Sequence, residues 1–136
     1  MINIENLHRQ MIHFPIALLT MSIVFDLLGL YLKKEQFFST SWYTLLTGAF
    51  ASVVAILSGF IADRVYGHML NPFPIFKTHG MVQLIASVIF IGLCTWRYYG
   101  GSANYKPPVW YLIVGLFAIV LILYGGHLGG TLAGHV

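Results

Sequence analysis

The sequence predicts an all-α integral membrane protein, an antiparallel four-helix bundle with both termini on the same membrane face. Three observations carry that prediction: the scarcity of charge, the grouping of apolar residues into long runs, and the residue types that punctuate those runs. Of the 136 residues, 58% are hydrophobic and only 8% are charged, with a mean hydropathy of +0.80. A water-soluble domain carries about 25% charged residues, so this chain must be solvated largely by lipid. A spanning helix takes about 20 mostly apolar residues. Four of them nearly exhaust the chain and make residues 1–136 a single four-span transmembrane domain.

The spans read in order as about Met11 to Leu32, Ser41 to Tyr66, His79 to Tyr99 and Pro108 to Gly126. The connections "KKEQFFSTS", "GHMLNPFPIFKT" and "GGSANYKP" hold the Gly, Pro and Lys of interfacial turns. Strands of a membrane barrel would alternate in polarity over segments of about ten residues, and these runs do not. The first span is longer than a signal-peptide core and has no small-residue cleavage pattern after it, so it is expected to be retained. Cys94 is the lone cysteine, which excludes an internal disulfide and a CxxCH haem attachment. Seven Lys and Arg near span ends account for the pI of about 9.1. They are topology signals, not a nucleic-acid surface.

Four spans divide the polar residues between two faces. Face A, with both termini and the second loop, receives all six histidines: His8, His13, His68, His79, His127 and His135. Face B receives Trp42, Trp96 and Trp110, with Tyr31, Tyr43, Tyr98, Tyr99, Tyr105 and Tyr111, an aromatic belt of the kind that anchors a membrane interface. Lys33, Lys34, Arg97 and Lys106 on face B outnumber Arg9, Arg64 and Lys77 on face A by one. The positive-inside rule then puts the histidines and both termini outside the cytoplasm.

Helical phase places His8, Ile12, Pro15, Leu19, Ser22 and Asp26 on one stripe of span one. His13 lies about 140° away, so His8 and His13 do not clasp one metal between them. Pro15 removes a backbone bond and crowds the carbonyl of Met11, predicting a bend there. Span two carries a stripe of small residues, Gly48, Ser52, Ala55, Gly59 and Ala62, which admits a neighbouring backbone more readily than a porphyrin. Asp26 is expected to snorkel toward Lys33 and Lys34, Asp63 to pair with Arg64, Lys77 or a histidine, and the glycines of "YGGHLGGTLAGHV" to end span four. None of these plain readings explains a histidine set confined to one face.

The run "LHRQMIHFPIALL", the later "SGFIAD" and "THG", and "LGGTLAGH" together resemble the DUF2231 family of small bacterial membrane proteins over almost the whole chain. The resemblance implies a four-helix module in a bacterial inner membrane. Members similar to this chain stand fused to, or beside, cytochrome c or Rieske-type carriers, which implies a redox setting. This chain has neither partner domain, so its electron partner would be a separate redox protein or a larger membrane complex.

In the redox setting that the resemblance implies, the histidines suggest a membrane electron-transfer protein holding b-type haem. Two neutral imidazoles on different helices, at similar depth and each oriented by a further hydrogen-bonding group, are what bis-imidazole haem requires. His13, His79 and His127 lie roughly 13–15 Å from their span centres at 1.5 Å per residue. His13 and His79 are the expected axial pair, Asp63 and Gln83 the expected orienting groups, and His8 the ligand of a second site with His127 or His135. The alternative is a non-catalytic accessory subunit of a respiratory or photosynthetic complex, its histidines serving interfaces or a bare zinc or copper ion. No acid–base pair or nucleophilic constellation marks an enzyme. No polar residue at the bilayer centre marks a transport path.

Overall fold

The computed structural model describes residues 4–66, 78–132 and 134, and among them every long element is helical. Helix α1 (Ile4–Met11) leads into α2 (His13–Leu32), followed by α3 (Gln36–Tyr66), α4 (His79–Gly100) and α5 (Val109–Leu132). A short 3-10 turn, Ser102–Asn104, lies between α4 and α5. Four stretches are long and apolar enough to cross a membrane: Asn6–Leu32, Gln36–Ile61, His79–Gly100 and Val109–Thr131.

The first span is longer than the sequence suggested, and it is broken. The chain is already helical at Ile4, and the break falls at Ile12, between α1 and α2. Pro15 sits in the first turn of α2, where its missing N–H would otherwise have bonded the carbonyl of Met11. Ile12 itself keeps helical angles and bonds the His8 carbonyl at 3.1 Å, so the interruption is confined to the hydrogen bond that Pro15 cannot make. Helix α3 starts at Gln36, five residues before the expected Ser41. The hydroxyls of this segment are satisfied within the helix: Thr40 Oγ1 donates to the Gln36 carbonyl at 2.9 Å and Thr44 Oγ1 to that of Thr40 at 2.7 Å.

Helices α2 and α3 run past one another in opposite directions, as their contacts show. Gly29 of α2 meets Phe38 of α3, while Leu19, further back along α2, meets Gly48, further on along α3. Ile23 of α2 lies on Gly115 of α5, where a methyl group would come within 2.5 Å of Ile23 Cδ1. The small stripe of α3 is thus a seat for α2 and α1, the close helix packing expected of it.

Leu19, Ile23, Leu45, Val82, Phe90 and Ile122 form the centre of the core. The outside is as apolar as the inside: Phe14, Phe50, Val88, Val109, Ile113 and Val120 are all more than half exposed. In water so large an apolar surface would drive association. In a bilayer it faces the solvent it matches.

At the face B end the structure differs from the sequence expectation. Asp26 does not snorkel toward Lys33 and Lys34; it is fully buried with Arg97, likewise fully buried, at 2.9 Å. Arg97 Nη1 donates to both Asp26 oxygens and to Ser41 Oγ, Nη2 to the Phe38 carbonyl, and Nε to the Ser102 carbonyl. One guanidinium thereby ties α2, α3, α4 and the turn before α5. Trp42 and Tyr111 also leave the expected belt for the interior, at 6% and 0% exposure. Tyr31, Tyr98, Tyr99, Trp96 and Trp110 remain outside, as an anchoring belt requires.

Candidate functional site

At the opposite end, two histidines are drawn in against bare backbone. His8 on α1 packs over Gly59 of α3, where a methyl group would come 3.1 Å from His8 Cε1. His79, first residue of α4, packs over Gly129 of α5, where the same methyl would come 2.7 Å from His79 Cε1. One turn along α4, Gln83 lies over Gly125 and donates its amide N–H to the Ile122 carbonyl at 3.2 Å. Gln83 and His79, four residues apart on one helix, thus sit on two glycines four residues apart on the next. This is why α5 continues through its glycines to Leu132 instead of ending at Gly126.

The hydrogen bonds set the protonation pattern of His79 and favour the same one in His8. His79 Nδ1 lies against the Gly125 carbonyl, which can only accept, so Nδ1 carries the proton. His8 Nδ1 is 2.8 Å from Ser58 Oγ, and that hydroxyl donates its own proton to the Ala55 carbonyl at 2.8 Å. With its proton on that carbonyl, Ser58 Oγ is set to accept from His8 Nδ1. In the neutral rings this leaves each Nε2 with its lone pair, and neither Nε2 makes a hydrogen bond among the described residues.

The remaining sequence candidates are placed differently. His13 begins α2 on its exposed side and makes no hydrogen bond to the groups around His79. His127 is exposed on α5, its carbonyl accepting from Thr131 Oγ1 at 3.0 Å. Asp63 belongs to α3, but its side chain lies outside the described residues, as do His68 and His135. Gln83 stands next to His79 along α4 and spends its amide N–H on α5. Among the described residues, no three His, Cys, Asp or Glu converge on a point that could hold a metal ion. A closed shell of the structural-zinc kind is therefore not formed by these residues alone.

Two components escaped the sequence reading. Ser58 was passed over because a serine in an apolar helix ordinarily bonds only its own preceding turn; here it does so and also accepts from His8. The Gly125/Gly129 pair was read as a helix end, although its four-residue spacing matches that of His79 and Gln83.

Against known proteins, the family model described as "Predicted membrane protein (DUF2231)" matches residues 5–136. No curated protein and no solved structure matches the chain.

Proposed function

Since the chain belongs to the DUF2231 family of predicted membrane proteins, a description that leaves its activity open, we propose from the face A site that it is a membrane electron-transfer protein holding a b-type haem, with His8 and His79 as the axial pair. One arrangement carries the reading: on two different helices each ring sets Nδ1 against an oxygen, the Gly125 carbonyl for His79 and the Ser58 hydroxyl for His8, the pattern that leaves Nε2 as the base. His79 keeps the role the sequence gave it. His8 replaces His13 as its partner because His8 is half-buried and oriented by a hydrogen bond, whereas His13 is exposed.

The donor set fits the group. Haem iron takes neutral imidazole nitrogens, and a ligating histidine typically donates its other N–H to a carbonyl, a hydroxyl or a carboxylate. That hydrogen bond holds the tautomer, restrains ring rotation and makes Nε2 a stronger base. Gly59 and Gly129 leave room for the two rings to approach their supporting helices, space that a Cβ would take. A haem so bound would supply one-electron exchange between ferric and ferrous iron. The protein's share is to keep both Nε2 atoms deprotonated and aimed, in surroundings of low polarity. His13, His127 and His135 remain candidates for a second site on the same face, and the electron partner would be a separate membrane or surface protein.

The test is an optical one. Protein purified from membranes with haem supplied should show a reduced-minus-oxidised α-band on dithionite addition, with extracted haem in a fixed ratio to protein. Preparations with no such band, whatever haem is supplied, would end the cytochrome reading. Bound zinc or copper in the same preparations would support the accessory-subunit alternative.

A further inference from the structure

Two concavities at the other end of the molecule lie on one line. A polar pocket of about 350 Å³ opens between the α2–α3 turn and the α4–α5 connection, bordered by Glu35, Ser39, Asn104 and Lys106. An apolar groove of about 230 Å³ runs between α3 and α4, bordered by Trp42, Leu46, Ala49, Ile91, Cys94 and Thr95. Ser39, Trp42, Leu46 and Ala49 recur every three or four residues, so they form a single stripe along α3 that joins the pocket to the groove, with Glu35 just ahead of its first turn.

The geometry points to a bound glycerophospholipid in the face B leaflet, and we propose that its headgroup carries a primary ammonium, as phosphatidylethanolamine does. From Glu35 to Ala49 the line is about 20 Å long at 1.5 Å per residue. Half a bilayer, headgroups included, is also about 20 Å. The order of chemistry along the stripe is that of a lipid: charged and polar first, the Trp42–Tyr98 ring pair at 6.5 Å next, then an apolar channel.

The charges choose the headgroup. Lys106 supplies an ammonium for the phosphate, and Glu35 supplies a carboxylate for a cation at the outer end. A primary ammonium can donate three hydrogen bonds to the carboxylate and the nearby polar groups, whereas a choline head has no N–H to donate. A headgroup bearing phosphate alone would leave Glu35 facing like charge. The site is separate from the imidazoles and does not depend on what they bind.

The test uses the full-length protein in a mixture of phosphatidylethanolamine, phosphatidylglycerol and phosphatidylcholine with identical acyl chains, retained lipid being counted by native mass spectrometry. Glu35, Thr95 and Lys106 are all exposed, so replacing them leaves the core intact. The unaltered protein should hold one phosphatidylethanolamine in preference to the others. Lys106→Ala should weaken that retention about tenfold, the worth of one charge-assisted hydrogen bond. Glu35→Gln should abolish the preference over phosphatidylcholine, and Thr95→Phe should block the groove. Val120→Ala, on the exposed outside of α5, should change nothing. Equal retention of all three lipids, a preference for either of the other two, or wild-type binding by both Lys106→Ala and Thr95→Phe would overturn the assignment.

Discussion

Arg97 and Asp26 are joined inside the helix bundle by two hydrogen bonds from one guanidinium nitrogen, at 3.0 and 2.9 Å, across 71 residues of sequence. Neither side chain has any exposed surface. A charged group at membrane depth is tolerated when it pairs within the protein, and this pair also satisfies Ser41 and the carbonyls of Phe38 and Ser102. Removing one partner strands the other. Asp26→Ala or Arg97→Ala should each destabilise the fold by about 3–5 kcal/mol, while Asp26→Leu with Arg97→Met should restore most of the loss. Arg97→Lys should behave like a partial deletion, because an ammonium cannot span the two helices and the turn that the planar fork reaches. Thermal unfolding in detergent measures all four variants, and a double variant no better than the singles would contradict the pairing argument.

The haem proposal separates the histidines sharply. His8→Ala and His79→Ala should each lose the haem band, since one axial ligand is then missing, and His13→Ala should keep it. Haem-to-protein ratios in folded, purified variants decide this. Loss of haem in His13→Ala with retention in His8→Ala would return the axial role to His13.

Ser58 makes a subtler prediction. Ser58→Ala removes the acceptor of His8 Nδ1 while keeping the helix and the imidazole. Groups that orient a ligating histidine are worth about 10–100-fold in affinity, so haem should dissociate that much faster. The midpoint potential should also move, which a purely structural role for Ser58 would not produce. Ser58→Thr, which retains a hydroxyl, should recover part of both.

Two glycines with opposite surroundings test the seating of His79. Gly129→Ala places a methyl group 2.7 Å from the ring and should cost about 1–3 kcal/mol while displacing the imidazole. Gly92→Ala meets nothing within 4 Å and should be neutral, or stabilising by up to about 1 kcal/mol, through helix propensity. Unfolding midpoints and haem content together distinguish a displaced ring from a damaged fold.

The sequence disclosed the spans because lipid solvation imposes a crude requirement, long apolar runs, that any window of residues reveals. The break near Pro15 was readable for a similar reason: it follows from one ring and one missing N–H. The ion pair was harder, although its signal was present. Asp26 and Arg97 lie a few residues inside the same face, and two opposite charges at one depth inside a membrane ordinarily pair. Lys33 and Lys34, closer in sequence, offered an easier partner and concealed it. The site was half legible. Segregation of histidines singled out one face and His79 as candidates, but ring orientation depends on what stands behind each ring, and Gly59, Ser58, Gly125 and Gly129 come from other helices. A periodicity along one helix cannot register them.

The same long-range pair bears on biogenesis. Asp26 enters the bilayer with the first span, and its counter-ion is synthesised 71 residues later. At about 5–20 residues per second, the nascent chain holds an unmatched carboxyl for roughly 4–14 s. The early hairpin is therefore expected to linger beside the insertion machinery, or to keep water at Asp26, until the third span arrives and locks it. A chain arrested short of residue 97 should leave Asp26 open to a water-borne carboxyl reagent, and a released full-length chain should not. If both chains react alike, the pair does not govern the order of insertion.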